Sequence, residues 1–321
     1  MPSIERRPIV SISEWLAWRR QDVTASVVGA LFGVHEYKTI FGLHADVTGC
    51  GEKITVESGV MERGRDFETG IAKRVAREHP EWKIRSPNAY FRDPVLRLGA
   101  TPDFLIRSRT GHRGVLQVKL VNPFSFRRRW TPDLAPQWIV LQTLVEMMLT
   151  RATFGVIAAY ESDGYGTRAL HYYDVSRHAK AEKRIRDAVT AFWRAVDQGE
   201  MPKPDYGRDG SLIAAMYPTA KPGSTVDLRH DNRMPEILSE RAKLKAEIDA
   251  KEKALKALDA EIKDKLGENE AALCTGWSVT LKQINVNGYT KEVAAYSYRK
   301  LDCKRDEAAP EPEPAKQENA A

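Results

Sequence analysis

Asp103, Gln117 and Lys119 fall within one short run, GATPDFLIRSRTGHRGVLQVKL, in the spacing D-x13-Q-x-K. PDFLI and GVLQVKL read as strands, and SRTGHRG between them reads as a turn. Side chains two positions apart on a strand share a face, so Gln117 and Lys119 point the same way. A tight hairpin can bring Asp103 beside them. Glu68 lies in a helical stretch from Val60 to Glu78, on the face that also carries Gly64, Ile71 and Ala72. These four side chains are expected to converge on one pocket. Phosphodiester hydrolysis needs such a mixture. Carboxylate oxygens hold hard Mg²⁺ or Mn²⁺. The metal polarises a phosphoryl group and lowers the pKa of water. A lysine, a compact point charge on a long stem, can orient that water or offset charge growing on the phosphate.

Each residue also has an ordinary reading. Asp after Pro caps turns. Lys119 could be a strand residue with its head in water. Glu68 could pair with Lys73 or Arg65 on a wet helix face. The bare spacing therefore gains its meaning from the elements around it.

Those elements alternate. Residues 11–21 and 24–34 read as helices, the second ending near Gly33, and 35–56 reads as loop punctuated by Gly42, Gly49 and Gly51. Strands are expected over 82–91 (broken at Pro87), at LRLGA and through the hairpin. PQWIVLQTLVEMMLT, residues 136–150, is a strongly apolar helix. Gln142 can face the sheet edge from it, and Glu146, one turn later, can enter the same pocket or meet solvent. Strands at 154–160 and 167–175 and a long amphipathic helix complete an α/β order. The expected organisation is a core over 1–200 and a linker or irregular segment over 201–235. A charged helix and terminal hairpin over 236–305 and a disordered tail over 306–321 follow. In that charged helix Ile237, Leu244, Ile248, Leu255, Leu258 and Ile262 step by three, four or seven, close to coiled-coil spacing. The terminal hairpin is expected in GWSVTLKQINVNGYTKEVAAYSYRK.

The 321 residues are 42% hydrophobic, enough for one sizeable core. No stretch approaches eighteen apolar residues, so a membrane span is not expected. MPSIERRPIV lacks an apolar signal core, so export is not expected and a cytoplasmic location is. Three scattered cysteines without a CxxC pair suggest neither a disulfide framework nor a structural zinc site. The net charge of +6 weakly favours a polyanionic partner. Arg127, Arg128 and Arg129, interleaved with Phe124, Phe126 and Trp130, suit backbone-directed contact with phosphates, or else form a basic loop with buried aromatic anchors.

Five segments in order resemble the YqaJ-type, lambda-exonuclease-like branch of the PD-(D/E)xK nucleases, over roughly residues 15–200. They are TASVVGALFGV, MERGRDFE, GATPDFLI, GVLQVKLVNPFSFRRRW and IVLQTLVEMML. The resemblance implies a mixed central sheet flanked by helices, with a C-terminal helical and hairpin appendage. It assigns metal binding to Glu68, Asp103, the third acidic position at Gln117 and the Val118 carbonyl. Lys119 takes the catalytic lysine position and Gln142 that of an accessory glutamine. Ser26 matches a serine that meets DNA phosphate, although the acid that often follows it is Val27 here. The implied activity is a Mg²⁺- or Mn²⁺-dependent deoxyribonuclease, a 5′-to-3′ exonuclease on double-stranded DNA ends in phage recombination. It would hand single strands to an annealing protein and could form an oligomer. Gln117 departs from the family pattern: an amide oxygen can coordinate a metal but carries no charge. Two alternatives stay open: a catalytically weakened DNA-binding protein, and a structural protein that oligomerises through the 236–266 helix.

Overall fold

The computed structural model describes residues 3–50, 59–163, 168–288, 290, 292–293 and 295–303; side chains 59–65 and 168 are outside the description. The chain divides into two compact units, Met1–Tyr217 and Pro218–Ala321.

In the first unit a five-stranded sheet has the order β3(Trp82–Arg85), β6(Phe104–Ser108), β7(Arg113–Val121), β8(Phe154–Ser162), β9(Arg168–Ser176). Only β7 and β8 run parallel within it. A parallel neighbour requires a crossover. Here the crossover contains α4(Pro123–Arg129) and α5(Gln137–Thr150). A smaller sheet has the order β1(Glu5–Pro8), β4(Ala89–Asp93), β5(Leu98–Ala100), β2(Val23–Thr24). The fold is thus a mixed α/β core flanked by helices.

The alternation along β7 divides its neighbours. Leu116 and Val118 join Ile71, Ala72 and Val75 of α3(Gly59–Glu78) in one apolar cluster. Val115 joins the cluster built on α5, which also takes in Ile185 and Phe192 of α6(Ala179–Asp197). α5 is apolar nearly all round, as a helix buried between layers must be. It lies very close to the sheet. A Cβ at Gly155 of β8 would stand 2.7 Å from Thr143 and 2.8 Å from Met147, so only glycine permits this approach. Just before β2, buried Asp22 accepts from Tyr90 Oη at 3.0 Å and from Arg92 Nε and Nη2 at 3.0 and 2.8 Å, pinning β4.

Four sequence readings change here. The glycine-marked loop contains a helix, α2(Ile40–Thr48), capped by the Thr39 hydroxyl and closed by left-handed Gly49. Gly42 sits inside it, so that glycine is packing rather than punctuation. Residues 25–32, read as part of a helix, form a 3-10 segment. In the second unit the hairpin is β10(Ala271–Cys274) and β11(Trp277–Thr280), turning at Thr275 and left-handed Gly276. It begins before the expected stretch, and residues 281–288 carry no regular element. Within the stretch read as linker, α7(Gly210–Met216) folds with the first unit, where Thr39 Oγ1 donates to buried Asp209 at 2.6 Å. The second unit also holds α8(Arg233–Leu266), 34 residues long, with Leu244, Ile248, Leu255 and Leu258 exposed. The tail 306–321 lies outside the described residues. Among the described residues no helix is long and apolar enough to cross a membrane.

Candidate active site

The β6–β7 ladder ends at Phe104–Leu116, just before β7 reaches its polar residues. Past that point the Val118 N–H turns to a side chain, donating to Asp103 Oδ2 at 2.9 Å. Gln117 Nε2 donates to the same oxygen in a short contact. Gln117 and Lys119 project from the β7 face that α5 covers. There Gln142 Nε2 donates to Gln117 Oε1 at 2.8 Å and to Glu146 Oε1 at 3.0 Å. Lys119 Nζ donates to Gln142 Oε1 at 3.3 Å and stands 5.6 Å from the Trp138 ring centre. Asp103, Gln117, Lys119, Gln142 and Glu146 therefore form one hydrogen-bonded group across a strand end and a helix. The i, i+4 spacing of Gln142 and Glu146 puts both on the same face of α5.

Gln117, Gln142 and Glu146 are buried, while Asp103 and Lys119 are half-buried. Gln117 is 1% exposed and Glu146 0%. Burial raises the Asp103 carboxyl above its ordinary range; the Lys119 charge, the Val118 N–H and the Gln117 amide pull it back. Burial pushes Glu146 well above its ordinary range, and repulsion from Asp103 adds to that. Glu146 Oε2 is buried and has no hydrogen-bond partner. A buried carboxylate oxygen left unsatisfied is costly.

The other expected site residues sit on neighbouring elements. Glu68 is half-buried on the α3 stripe of Ile71, Ala72 and Val75, the helix face that packs against Leu116 and Val118 of β7. Its part as a ligand stays a proposal. Ser26 Oγ bonds Thr24 Oγ1 at 3.0 Å and accepts from Arg19 at 3.2 Å, while its carbonyl meets His35 Nε2 at 2.9 Å. His35 leans on Trp138, whose ring Lys119 also faces, so the 3-10 segment borders the group without bonding to it directly. Arg127, Arg128 and Arg129 form the last turn of α4, where their charge suits the helix C-terminus. Arg129 pairs with Glu36 and Tyr37, Arg128 lies over Phe124 at 5.3 Å, and Arg127 is exposed. Trp130 is a core anchor stacked on Phe126 at 5.7 Å. The aromatic-rich loop of the sequence reading is in part a helix, with Trp130 buried at its end, Phe126 half-buried and Phe124 exposed.

A family model described as the YqaJ-like viral recombinase domain matches residues 14–153, from α1(Ile12–Arg19) through α5. This part of the chain is similar to a YqaJ-like viral recombinase domain. All five residues of the hydrogen-bonded group lie inside this YqaJ-like segment. The uncharacterized protein YqaJ of Bacillus subtilis (strain 168) is 23% identical over 293 residues, 87% of this chain and 85% of its own length. Among solved structures, the alkaline exonuclease LHK-Exo from Laribacter hongkongensis is similar at 19% identity, over 63% of this chain and 100% of its own, with a TM-score of 0.45. Its complex with dAMP gives a TM-score of 0.47 at the same identity and coverage.

The donor set of the YqaJ-like segment fits a hard divalent cation. Asp103, Glu146 and Gln117 offer only oxygen, and one of those oxygens is buried without a partner. Among the described residues no three acidic, imidazole or thiol side chains cluster. Mg²⁺ does not require three, since one or two carboxylates suffice when substrate phosphates complete its shell. The sequence left Glu146 open between pocket and solvent. Its four-residue spacing from Gln142 was the signal, but the way that helix face turns goes with the close packing of α5 on β8 at Gly155.

Proposed function

We propose that the chain is a metal-dependent deoxyribonuclease acting on double-stranded DNA ends. The observation that carries this reading is the hydrogen bonding of Asp103, Gln117, Lys119 and Gln142 into one partly buried group at a strand end. Asp103, Gln117, the Val118 carbonyl and Glu68 would hold Mg²⁺ or Mn²⁺. The chemistry supplied by such an ion is polarisation of the scissile phosphoryl group and activation of water. The chain's own residues do the rest. Lys119 presents a positive Nζ to the charge developing on the phosphate, and the Trp138 face and the Gln142 carbonyl oxygen hold that Nζ in place. Gln142, through its second bond to Gln117, fixes the strand residue against the helix. Ser26, Arg127 and Arg128 would meet the DNA backbone, with Arg129 contributing if its pairing with Glu36 opens. Polarity from 5′ to 3′, a role in phage-type recombination and transfer of single strands to an annealing protein follow from the family likeness. Self-association would use the exposed apolar seam of α8.

Digestion of an end-labelled linear duplex beside a closed circular one, with Mg²⁺ and with Mn²⁺, tests the reading. Metal-dependent loss of the linear duplex with the circle intact is expected. A second reading, DNA binding without cleavage, draws on one contact. The Gln117 amide already donates to Asp103, where a cation would otherwise neutralise it. Affinity for duplex without turnover in either ion would favour it.

A further inference from the structure

We propose that Glu146, carried by helix α5, supplies the carboxylate that the metal site lacks at Gln117. The inference rests on the nuclease reading and deepens it. Gln117 is neutral, so β7 contributes a carbonyl oxygen and no charge. Glu146 is wholly buried, one helical turn from Gln142, and its Oε1 shares the Gln142 amide with Gln117 Oε1. Its other oxygen has no protein partner. A helix that needed only a polar space-filler here would be served by glutamine, which can donate as well as accept. A carboxylate with a free oxygen, enclosed beside Asp103, is the group a cation would satisfy. The pair Gln117 and Glu146 then carries the same total charge as an acid on the strand facing an amide on the helix. Acid and amide have exchanged places across one hydrogen bond to Gln142.

The exchange makes the test reciprocal. Mn²⁺ binding is measured by calorimetry on the full chain for the native protein, Glu146→Gln, and the swap Gln117→Glu with Glu146→Gln. Thermal melting of each protein serves as a folding control. Loss of Mn²⁺ affinity by roughly tenfold or more in Glu146→Gln is expected, as for loss of a charged ligand. Recovery in the swap to within about threefold of the native affinity is expected, because the charge returns on the strand. Equal binding by native protein and folded Glu146→Gln would overturn the assignment and leave the nuclease reading intact. A folded swap that fails to recover would overturn it as well. Absence of Mn²⁺ binding and of cleavage in the native protein would remove the nuclease reading, and this inference with it.

A separate observation points to a second site, for a polyanionic backbone. Lys83, Arg107 and Arg113 stand directly opposite one another across β3, β6 and β7. Like charges in such cross-strand positions are destabilising. Arg85 and Arg6 join them around a cavity of about 510 Å³, and no carboxylate lines it among the described residues. We infer that this row binds the phosphates of duplex DNA away from the cleavage site. The test replaces Lys83, Arg107 and Arg113 with Gln, singly and together, and follows duplex affinity across a salt series beside the melting temperature. The expected result is weaker binding with a salt slope smaller by about two to three, at a melting temperature unchanged or raised. Unchanged affinity and slope in the folded triple variant would overturn it.

Discussion

Lys119 is the residue on which turnover should depend most sharply. Its Nζ is held between the Gln142 carbonyl oxygen and the Trp138 ring, so its charge is positioned before substrate arrives. Lys119→Gln is expected to lower kcat by about 100-fold or more while leaving Mn²⁺ binding close to native. Single-turnover cleavage beside calorimetry checks both halves. Glu146 makes a pH prediction. Its folded-state carboxyl titrates above the ordinary range, so the fold favours the protonated form. Its unfavourable contribution is absent below the unfolded value. It grows as pH rises through that value and is complete above the folded one. Without metal, Glu146→Gln should therefore melt higher than the native protein at pH 8, by at least about 2 °C, the shift that roughly 1 kcal/mol gives in a domain of this size. The gap should close toward pH 4. Melting curves across that range, with and without Mn²⁺, measure it, and Mn²⁺ should narrow the gap at pH 8 by stabilising the native protein.

The group depends on α5 lying against β8, and this contact is set at Gly155. A methyl group there would meet Thr143 and Met147 on the helix. Gly155→Ala should cost about 1–3 kcal/mol by forcing the helix outward, and should lower activity by more than its stability loss explains. Denaturant unfolding beside cleavage rates separates the two effects. At the smaller sheet, Asp22→Ala leaves Arg92 buried without its partner and should cost roughly 3–5 kcal/mol. Melting of that variant checks it. Much at this scale was legible in the sequence. The hairpin follows from alternation around SRTGHRG, α5 from its mainly apolar sequence, and the shared face of Gln117 and Lys119 from period-two geometry. Three things were not. α2 was hidden because Gly42 and Gly49 read as breakers when one packs and the other caps. For Trp130 the sequence left two readings open, contact with DNA or a buried anchor, and only packing on the core decides for the anchor. The inward turn of Glu146 goes with the close packing of α5 on β8 at Gly155, on another element, which no local pattern reports.

At the scale of the molecule, the first unit holds the YqaJ-like segment and the whole candidate site, while the second carries α8 with its exposed apolar seam. If that seam pairs with another copy, Leu244→Lys with Leu255→Lys should shift the chain to a smaller species in sedimentation. Cleavage by the first unit should persist. The central claim is that one cation is held where the hairpin meets α5. Manganese anomalous scattering from crystals grown with Mn²⁺ tests this most directly. A peak within about 2.0–2.4 Å of oxygens from Asp103 and Glu146 is predicted. A peak held by other residues, with Asp103 still bonded only to the Gln117 amide and the Val118 N–H and Glu146 only to the Gln142 amide, would contradict it.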